Sequence, residues 1–278
     1  AEQTRMVQAL RGKLAAGQGG APLLIETHIS FVLVGAAHAY KIKKALKNPF
    51  LDQSTLALRE HACREELRLN GRLAPALYLG VVAIGGSADA PRLDGGAPII
   101  DCAVKMRAFA QEGLWDRLAA QHALHAAHVD ELAHVLAPVH AAAAAADPQG
   151  RLGSALQVRQ PLLDSLADLE RLVRTPQDRS GLRQLRGWEA EAYPRLAPAL
   201  AERLARGRVR ECHGDLHLGN VTLIDGRTTV FDGIEFNDDF RWIDVMSDIA
   251  FMAMDLQAHA LPRLAHRFVN AYVELSGD

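Results

Sequence analysis

The 278 residues suffice for one large domain or two modest lobes, and 49% of them are apolar, so a sizeable core can be buried. With 31 basic against 33 acidic residues the formal charge is −2, which argues against a nucleic-acid partner held by a general electrostatic field. Three scattered cysteines without a CxxC pair speak against a disulfide framework and a structural zinc site and fit a reducing cytoplasm; with no basic-then-apolar leader and no run of about 20 apolar residues, neither a signal peptide nor a membrane span is predicted.

Met6, Leu10 and Leu14 recur at helical spacing over residues 2–16. Three short β-type runs follow, Leu23–Ile25, Phe31–Val34 and Ala39–Ile42, the last two separated by the turn Gly35-Ala36-Ala37-His38. Asp52-Gln53-Ser54 can cap a long helix from about Thr55 to Leu73, ended by Pro75. Tyr78–Ile84 and Ile99–Phe109 read as strands, with Gly85-Gly86-Ser87 and Asp94-Gly95-Gly96 as turns between them. The first part is therefore mixed, with about five strands and one prominent helix.

Residues 114–206 are rich in Ala, Leu, Arg and Glu and read as successive helices. The run Ala141–Ala146 reads as a helix end closed by Asp147-Pro148. Val209–Cys212 is a short strand, and Val221–Ile224 and Thr228–Phe231 form a hairpin about Asp225-Gly226-Arg227. Helices from about Trp242 to Leu256 and onward to the end complete an α+β pattern of small mixed lobe, helical lobe and embedded hairpin.

The chemistry concentrates in His213-Gly214-Asp215-Leu216-His217-Leu218-Gly219-Asn220, a loop between two short strands. Asp232 follows at the end of the hairpin. Phosphoryl transfer needs a carboxylate to orient or deprotonate the attacking hydroxyl, oxygen ligands for Mg²⁺ and a cation for the phosphates. Asp215 can be the first, and Asn220 and Asp232 supply hard oxygens that suit Mg²⁺.

This segment resembles the catalytic loop of the aminoglycoside phosphotransferase family, relatives of protein kinases, with H-G-D-x-H-x-x-N followed by a metal-binding Asp. The resemblance implies a bilobal protein-kinase-like fold, a nucleotide-binding lobe at 1–107 and a helical catalytic lobe at 108–278. It implies ATP and Mg²⁺, transfer of the γ-phosphate to a hydroxyl of a small molecule, Asp215 as catalytic base, and Asn220 and Asp232 as metal ligands. His213 and His217 then support the loop, His217 being typical of small-molecule kinases. No nucleic-acid or membrane partner is expected, and oligomeric state is not readable.

The kinase template also requires a strand lysine. In Ala39-Tyr40-Lys41, period-two alternation puts Ala39 and Lys41 on one face, which makes Lys41 the phosphate lysine. Lys43 shares that face and is the runner-up. Glu66 and Glu60, on the following helix, are the candidate partners, with Glu66 preferred; helical phase alone does not separate them. By resemblance Ser30 and His28 belong to a phosphate loop, and Met106 and Arg107 fall where the lobes join and the adenine meets backbone. Asp248, on one helical face with Asp244, can buttress the catalytic loop or bind a cationic substrate, whereas Asp244 suits a helix N-terminus. His140 is expected to support the loop.

The runs Glu26–Ser30, Ala39–Lys44, Glu66–Asn70 and Ala103–Arg107 look like the branch of this family often fused to a P-loop ATPase domain. No G-x-x-x-x-G-K-[ST] occurs in the chain, and it stops where that branch would continue with more helices, so a shortened catalytic lobe is expected. Two other readings stand beside the kinase: a nucleotide-binding pseudokinase or regulatory module, and a metal-dependent hydrolase using His213, Asp215 and His217 with His122, His125 and His128 as the partner cluster.

Overall fold

The computed structural model describes residues 2–18, 20–48 and 50–278. Helix α1 (Glu2–Gln18) leads into strands β1 (Leu23–Glu26), β2 (Ser30–Val34) and β3 (His38–Lys43). The two-residue strands β4 (Lys47–Asn48) and β5 (Leu51–Asp52) form a small hairpin before α2 (Leu56–Asn70). Thr55 caps α2, its Oγ1 accepting the Leu58 N–H at 3.3 Å. Strands β6 (Tyr78–Ser87), β7 (Ala90–Leu93) and β8 (Ile99–Arg107) complete a six-stranded antiparallel sheet in the order β1-β2-β3-β8-β6-β7. The sixth strand, β7, lies between the two stretches read from sequence as turns. Gly85 and Gly86 pair with Arg92 and Pro91 instead of turning.

Alternation sorts the sheet into two faces. Tyr40 and Ile42 join Met6, Val7 and Leu10 of α1 on one. Ala39, Val104 and Met106 pack with Cys63 of α2 on the other. Lys41 and Lys43 lie on the α2 side, between sheet and helical half.

That half contains α3 (Trp115–Ala120), α4 (Ala126–Ala142), α5 (Ala155–Leu172), α6 (Pro176–Ala205), β9 (Val209–Glu211), the hairpin β10 (Val221–Ile224) and β11 (Arg227–Val230), α7 (Asp238–Arg241), β12 (Trp242–Asp244), α8 (Val245–Ala258) and α9 (Pro262–Ser276). Its core joins Trp115, Leu132 and Leu136 to Ile249, Met252 and Phe268, and includes Leu216 and Leu218 of the 213–220 loop. That loop is thus anchored by its own apolar side chains. Among the described residues no helix is long and apolar enough to cross a membrane.

Two sequence expectations are corrected here. The alanine run leaves α4 at Ala142, and the segment beyond it pairs with β9: Ala146 N–H donates to Val209 O (2.9 Å) and Glu211 N–H to Ala144 O (3.0 Å). A tertiary strand partner outweighs alanine's helix propensity. Residues 242–244, expected to open a helix, form β12 antiparallel to β9, and α8 begins at Val245.

Candidate active site

Lys41 is buried on β3 with its ammonium 3.0 Å from Glu66 Oε1 and in contact with Asp232. Burial alone would lower its pKa; Asp232, Glu66 and Glu235 outweigh that and hold it well above the ordinary lysine value. Desolvation likewise pushes the Asp232 carboxyl up, but the Lys41 ammonium, with Lys43 and His213 behind it, brings the net shift below the usual carboxylate range. Asp232 sits at φ 63°, an uncommon region for a non-glycine residue, and its N–H donates to Tyr78 Oη at 3.0 Å. Gly233 follows with its N–H on Asn70 Oδ1 at 2.7 Å. The sheet side, α2 and the loop after β11 therefore meet at one point.

The 213–220 loop hangs from α8. Asp248 accepts the His213 N–H and the Gly214 N–H, each at 2.9 Å, and lies 3.3 Å from His140 Nε2, whose ring is fixed by Tyr272 Oη at 2.8 Å from Nδ1. Burial pushes the Asp248 carboxyl up, yet His140, His213 and these backbone donors bring it below the ordinary value. Asp255, two turns along α8, accepts the Leu218 N–H at 2.8 Å. Gly214 has φ 83°, and a Cβ there would lie 2.5 Å from the Phe240 carbonyl oxygen, so only glycine fits.

Within the loop, the Asp215 N–H donates to His213 Nδ1 at 3.2 Å and His213 Nε2 meets Phe231 O at 2.8 Å, which fixes the ring between the loop and the end of the hairpin. Asn220 Nδ2 donates to Asp215 O (2.9 Å) and Oδ2 (3.1 Å). His217 Nδ1 accepts the Gly219 N–H at 3.0 Å, and its Nε2 is 3.4 Å from Asp215 Oδ2. That contact with Asp215 raises the His217 pKa above its ordinary value against the opposing effect of burial.

A cavity of about 250 Å³ opens beneath the sheet. Val32, Val34, Ala39, Met106 and Phe231 give it apolar walls, while Lys41, Asn220 and Asp232 mark its polar end. Phe109 meets Phe231 edge-on at 5.3 Å beside it. An apolar slot ending in a cation and oxygen donors is the shape of a site for a flat ring carrying anionic groups.

The sequence candidates fall out as follows. Lys41, Asp232 and Asn220 line one cavity, with Asp215 held by Asn220. Glu66, fully buried, is the partner of Lys41, whereas Glu60 is exposed on Arg64. Lys43, the runner-up, is fully buried against Glu66 and Glu235 and does not reach the cavity. Ser30 is a correction: it is fully buried, its N–H goes to Thr27 Oγ1, and Thr27 lines the cavity in its place, with His28 exposed. Alternation points Ser30 to the Lys43 side of the strand pair, deeper than the slot.

Met106 lines the wall, and Arg107 sits at the rim, forked onto Asp225 at 2.8 and 3.1 Å. The Arg107 and Ala108 N–H groups are already taken by the Leu77 and Ala37 carbonyls, each at 2.9 Å, which limits the backbone there that can meet a base. Asp244 caps α8 through the Met246 N–H (2.8 Å) and pairs with Arg203.

Sequence reasoning missed Asp255, Glu235 and Asn70. Asp255 is seven residues after Asp248 and so on the same helical face, a signal that was available. Glu235 and Asn70 carried none, because their partners are remote in the chain.

The oxygen donors fit Mg²⁺. Asn220's nitrogen is committed to Asp215, which turns its Oδ1 to any ligand, and Lys41 keeps Asp232 anionic. The H-x-D-x-H pattern does not form a zinc set, since both ring nitrogens of His213 are engaged, one by the Asp215 N–H and the other by the Phe231 carbonyl. Nor do the helix histidines make a metal cluster: His125 and His128 close the start of α4. Among the described residues one His/Cys/Asp/Glu group has metal-ligand spacing, His140, Cys212 and Asp248, buried behind the loop.

A choline/ethanolamine kinase family protein from Mesorhizobium loti is similar over 97% of this chain and 76% of its own, at 14% identity and a TM-score of 0.45. Aminoglycoside phosphotransferase APH(4)-Ia is similar over 98% of this chain and 85% of its own, at 14% identity and a TM-score of 0.47. Uncharacterized proteins of Mycobacterium tuberculosis and Mycobacterium bovis are 30% identical over 260 residues, covering 91% of this chain and 49% of theirs, so the chain spans about half the length of these curated relatives. The model of the phosphotransferase enzyme family, APH, matches residues 47–277, most of the chain, and the chain belongs to that family.

Proposed function

We propose that the chain transfers the γ-phosphoryl group of ATP to a hydroxyl of a small molecule. The observation that carries this reading is the convergence of Lys41, Glu66 and Asp232, drawn from 191 residues of chain, at the polar end of an apolar cavity that also receives Asn220. The apolar walls suit a purine, and Lys41 suits its phosphates, exchanging Asp232 for phosphate oxygens while Glu66 keeps hold. Asn220 and Asp232 would hold Mg²⁺, which when bound neutralises charge on the phosphate oxygens.

Asp215 orients the acceptor hydroxyl and takes its proton as the new O–P bond forms and the bond to ADP breaks. Its carboxylate is steadied by Asn220 Nδ2 and by His217, and is 40% exposed, which leaves room for a substrate oxygen. Asp248 and Asp255 hold the loop in that pose through its backbone. The three free cysteines, all buried, suit a reducing, ATP-holding compartment such as the cytoplasm.

The test is nucleotide-dependent thermal stabilisation, with ATP and GTP in parallel, followed by phosphoester detection across a panel of amino-alcohols, sugars and aminoglycosides. Stabilisation by ATP with Mg²⁺ and a phosphorylated acceptor are expected. Binding without product on any acceptor would favour a nucleotide-binding regulatory module, and no nucleotide response would overturn both readings.

A further inference from the structure

The chemistry above uses Lys41 and leaves Lys43 and Glu235 without a task. Lys43 lies two residues further along β3 on the same face, but its side chain and that of Glu66 are wholly buried and that of Glu235 is 2% exposed. The Lys43 ammonium touches Glu66 Oε2 and lies 2.5 Å from Glu235 Oε1. Glu66 therefore bridges two lysines, one carboxylate oxygen to each. Glu235 stands three residues after Asp232 in the same loop, and the Arg241 guanidinium holds its carbonyl at 3.0 Å.

Two ion pairs thus join β3 to the loop after β11, and they differ in access. Asp232 is 41% exposed and lines the cavity with Lys41, so a phosphate oxygen can reach that pair and replace the carboxylate. Neither Lys43 nor Glu235 lines the cavity, and no entering anion can compete for them. Once Lys41 exchanges Asp232 for another anion, Asp232 loses its only direct ion pair to the sheet among the described residues while sitting on a positive-φ backbone, and Glu66 stays anchored through its second oxygen on Lys43.

We propose that the Lys43–Glu235 pair is a permanent latch between β3 and the loop after β11, and that both are positioning residues that keep Asp232 and Glu66 in place when Lys41 exchanges Asp232 for a bound triphosphate. This rests on the reading of the cavity as a nucleotide–metal site.

The test is the Lys43→Met, Glu235→Gln double variant of the full chain, which removes one charge of each sign and leaves no unbalanced charge buried by the change. ATP binding is measured by calorimetry with and without Mg²⁺, beside the melting temperature of the free protein. Metal-free ATP affinity should stay within about twofold of wild type, because Lys41 is untouched. The tightening that Mg²⁺ brings should fall about tenfold or more, equivalent to about 1.4 kcal/mol, and excess Mg²⁺ should recover part of it. A variant with a lower melting temperature and full wild-type Mg²⁺ tightening overturns the latch and leaves a merely structural pair. If the double variant does not fold, the Glu235→Gln variant takes the same titration, with the same two outcomes. A wild-type protein that binds no ATP at all overturns the nucleotide reading, and the latch with it.

Discussion

The two sides of the site are held by different forces. On the loop side, Asp248 and Asp255 grip backbone N–H groups of His213, Gly214 and Leu218. On the β3 side, Lys41, Lys43, Glu66, Asp232 and Glu235 hold one another by charge. A loop N–H bonded to a buried carboxylate gains nothing by letting go when substrate arrives, so the loop side is preorganised. An ammonium can trade a carboxylate for a phosphate with little net change, so on the proposed reading the accessible Lys41–Asp232 pair is the one that exchanges, beside the buried Lys43–Glu235 pair. A phosphotransferase needs both: a fixed base, and a cation whose resting partner is a stand-in for its substrate.

The comparison breaks most visibly at Asp248. Replacing this buried carboxylate by alanine strands two backbone donors and His140, and should lower stability by about 3–5 kcal/mol, read as denaturation midpoint, with turnover lost in the surviving fold. A change within 1 kcal/mol, by the same order-of-magnitude reasoning, would mean the loop does not depend on α8.

On the exchange side, Lys41→Met should weaken ATP binding roughly 10–100-fold, the worth of about 1.5–3 kcal/mol of charge-assisted hydrogen bonding, with a smaller effect on melting than Asp248→Ala. Unchanged ATP affinity by calorimetry would remove Lys41 from the site. Asp255→Ala is milder, since its side chain is 25% exposed. Loss of one bond to Leu218 should cost about 1 kcal/mol of stability and lower turnover several-fold, with ATP affinity kept.

The smallest effect concerns pH. Because contact with Asp215 raises the His217 pKa, the His217–Asp215 attraction is fully present below the ordinary value of 6.5 and is lost as pH rises through the raised value. Loss of the positive charge on His217 leaves Asp215 a stronger base, so turnover should rise with pH through a point above 6.5. His217→Gln should move that rise toward acid. An unmoved pH–rate profile would place His217 outside the surroundings of the base.

Much of the loop side was legible in the chain because its chemistry is contiguous: Asp215, His217 and Asn220 lie within eight residues, and Asp232 follows a recognisable hairpin. Lys41 was reachable through period-two alternation, which also made Lys43 its equal. What separates those two is depth, and depth is set by α2 and the Glu235 loop packing over the strand, which no local pattern encodes. The choice between Glu66 and Glu60 was hidden for the same reason, and Ser30 was misplaced because alternation gives a face without saying how far along it the cavity extends. Residues 143–146 and 242–244 became strand-like because each pairs with β9, a partner more than thirty residues away in both directions.

The most direct test of the shared site is Asp215→Asn measured twice, for ATP–Mg²⁺ affinity by calorimetry and for phosphoester formation on whichever acceptor the wild type uses. Affinity should stay within about twofold of wild type while turnover falls by roughly 10²–10⁴-fold, the range for a lost general base. Equal losses of binding and turnover, or an unimpaired rate, would contradict that role.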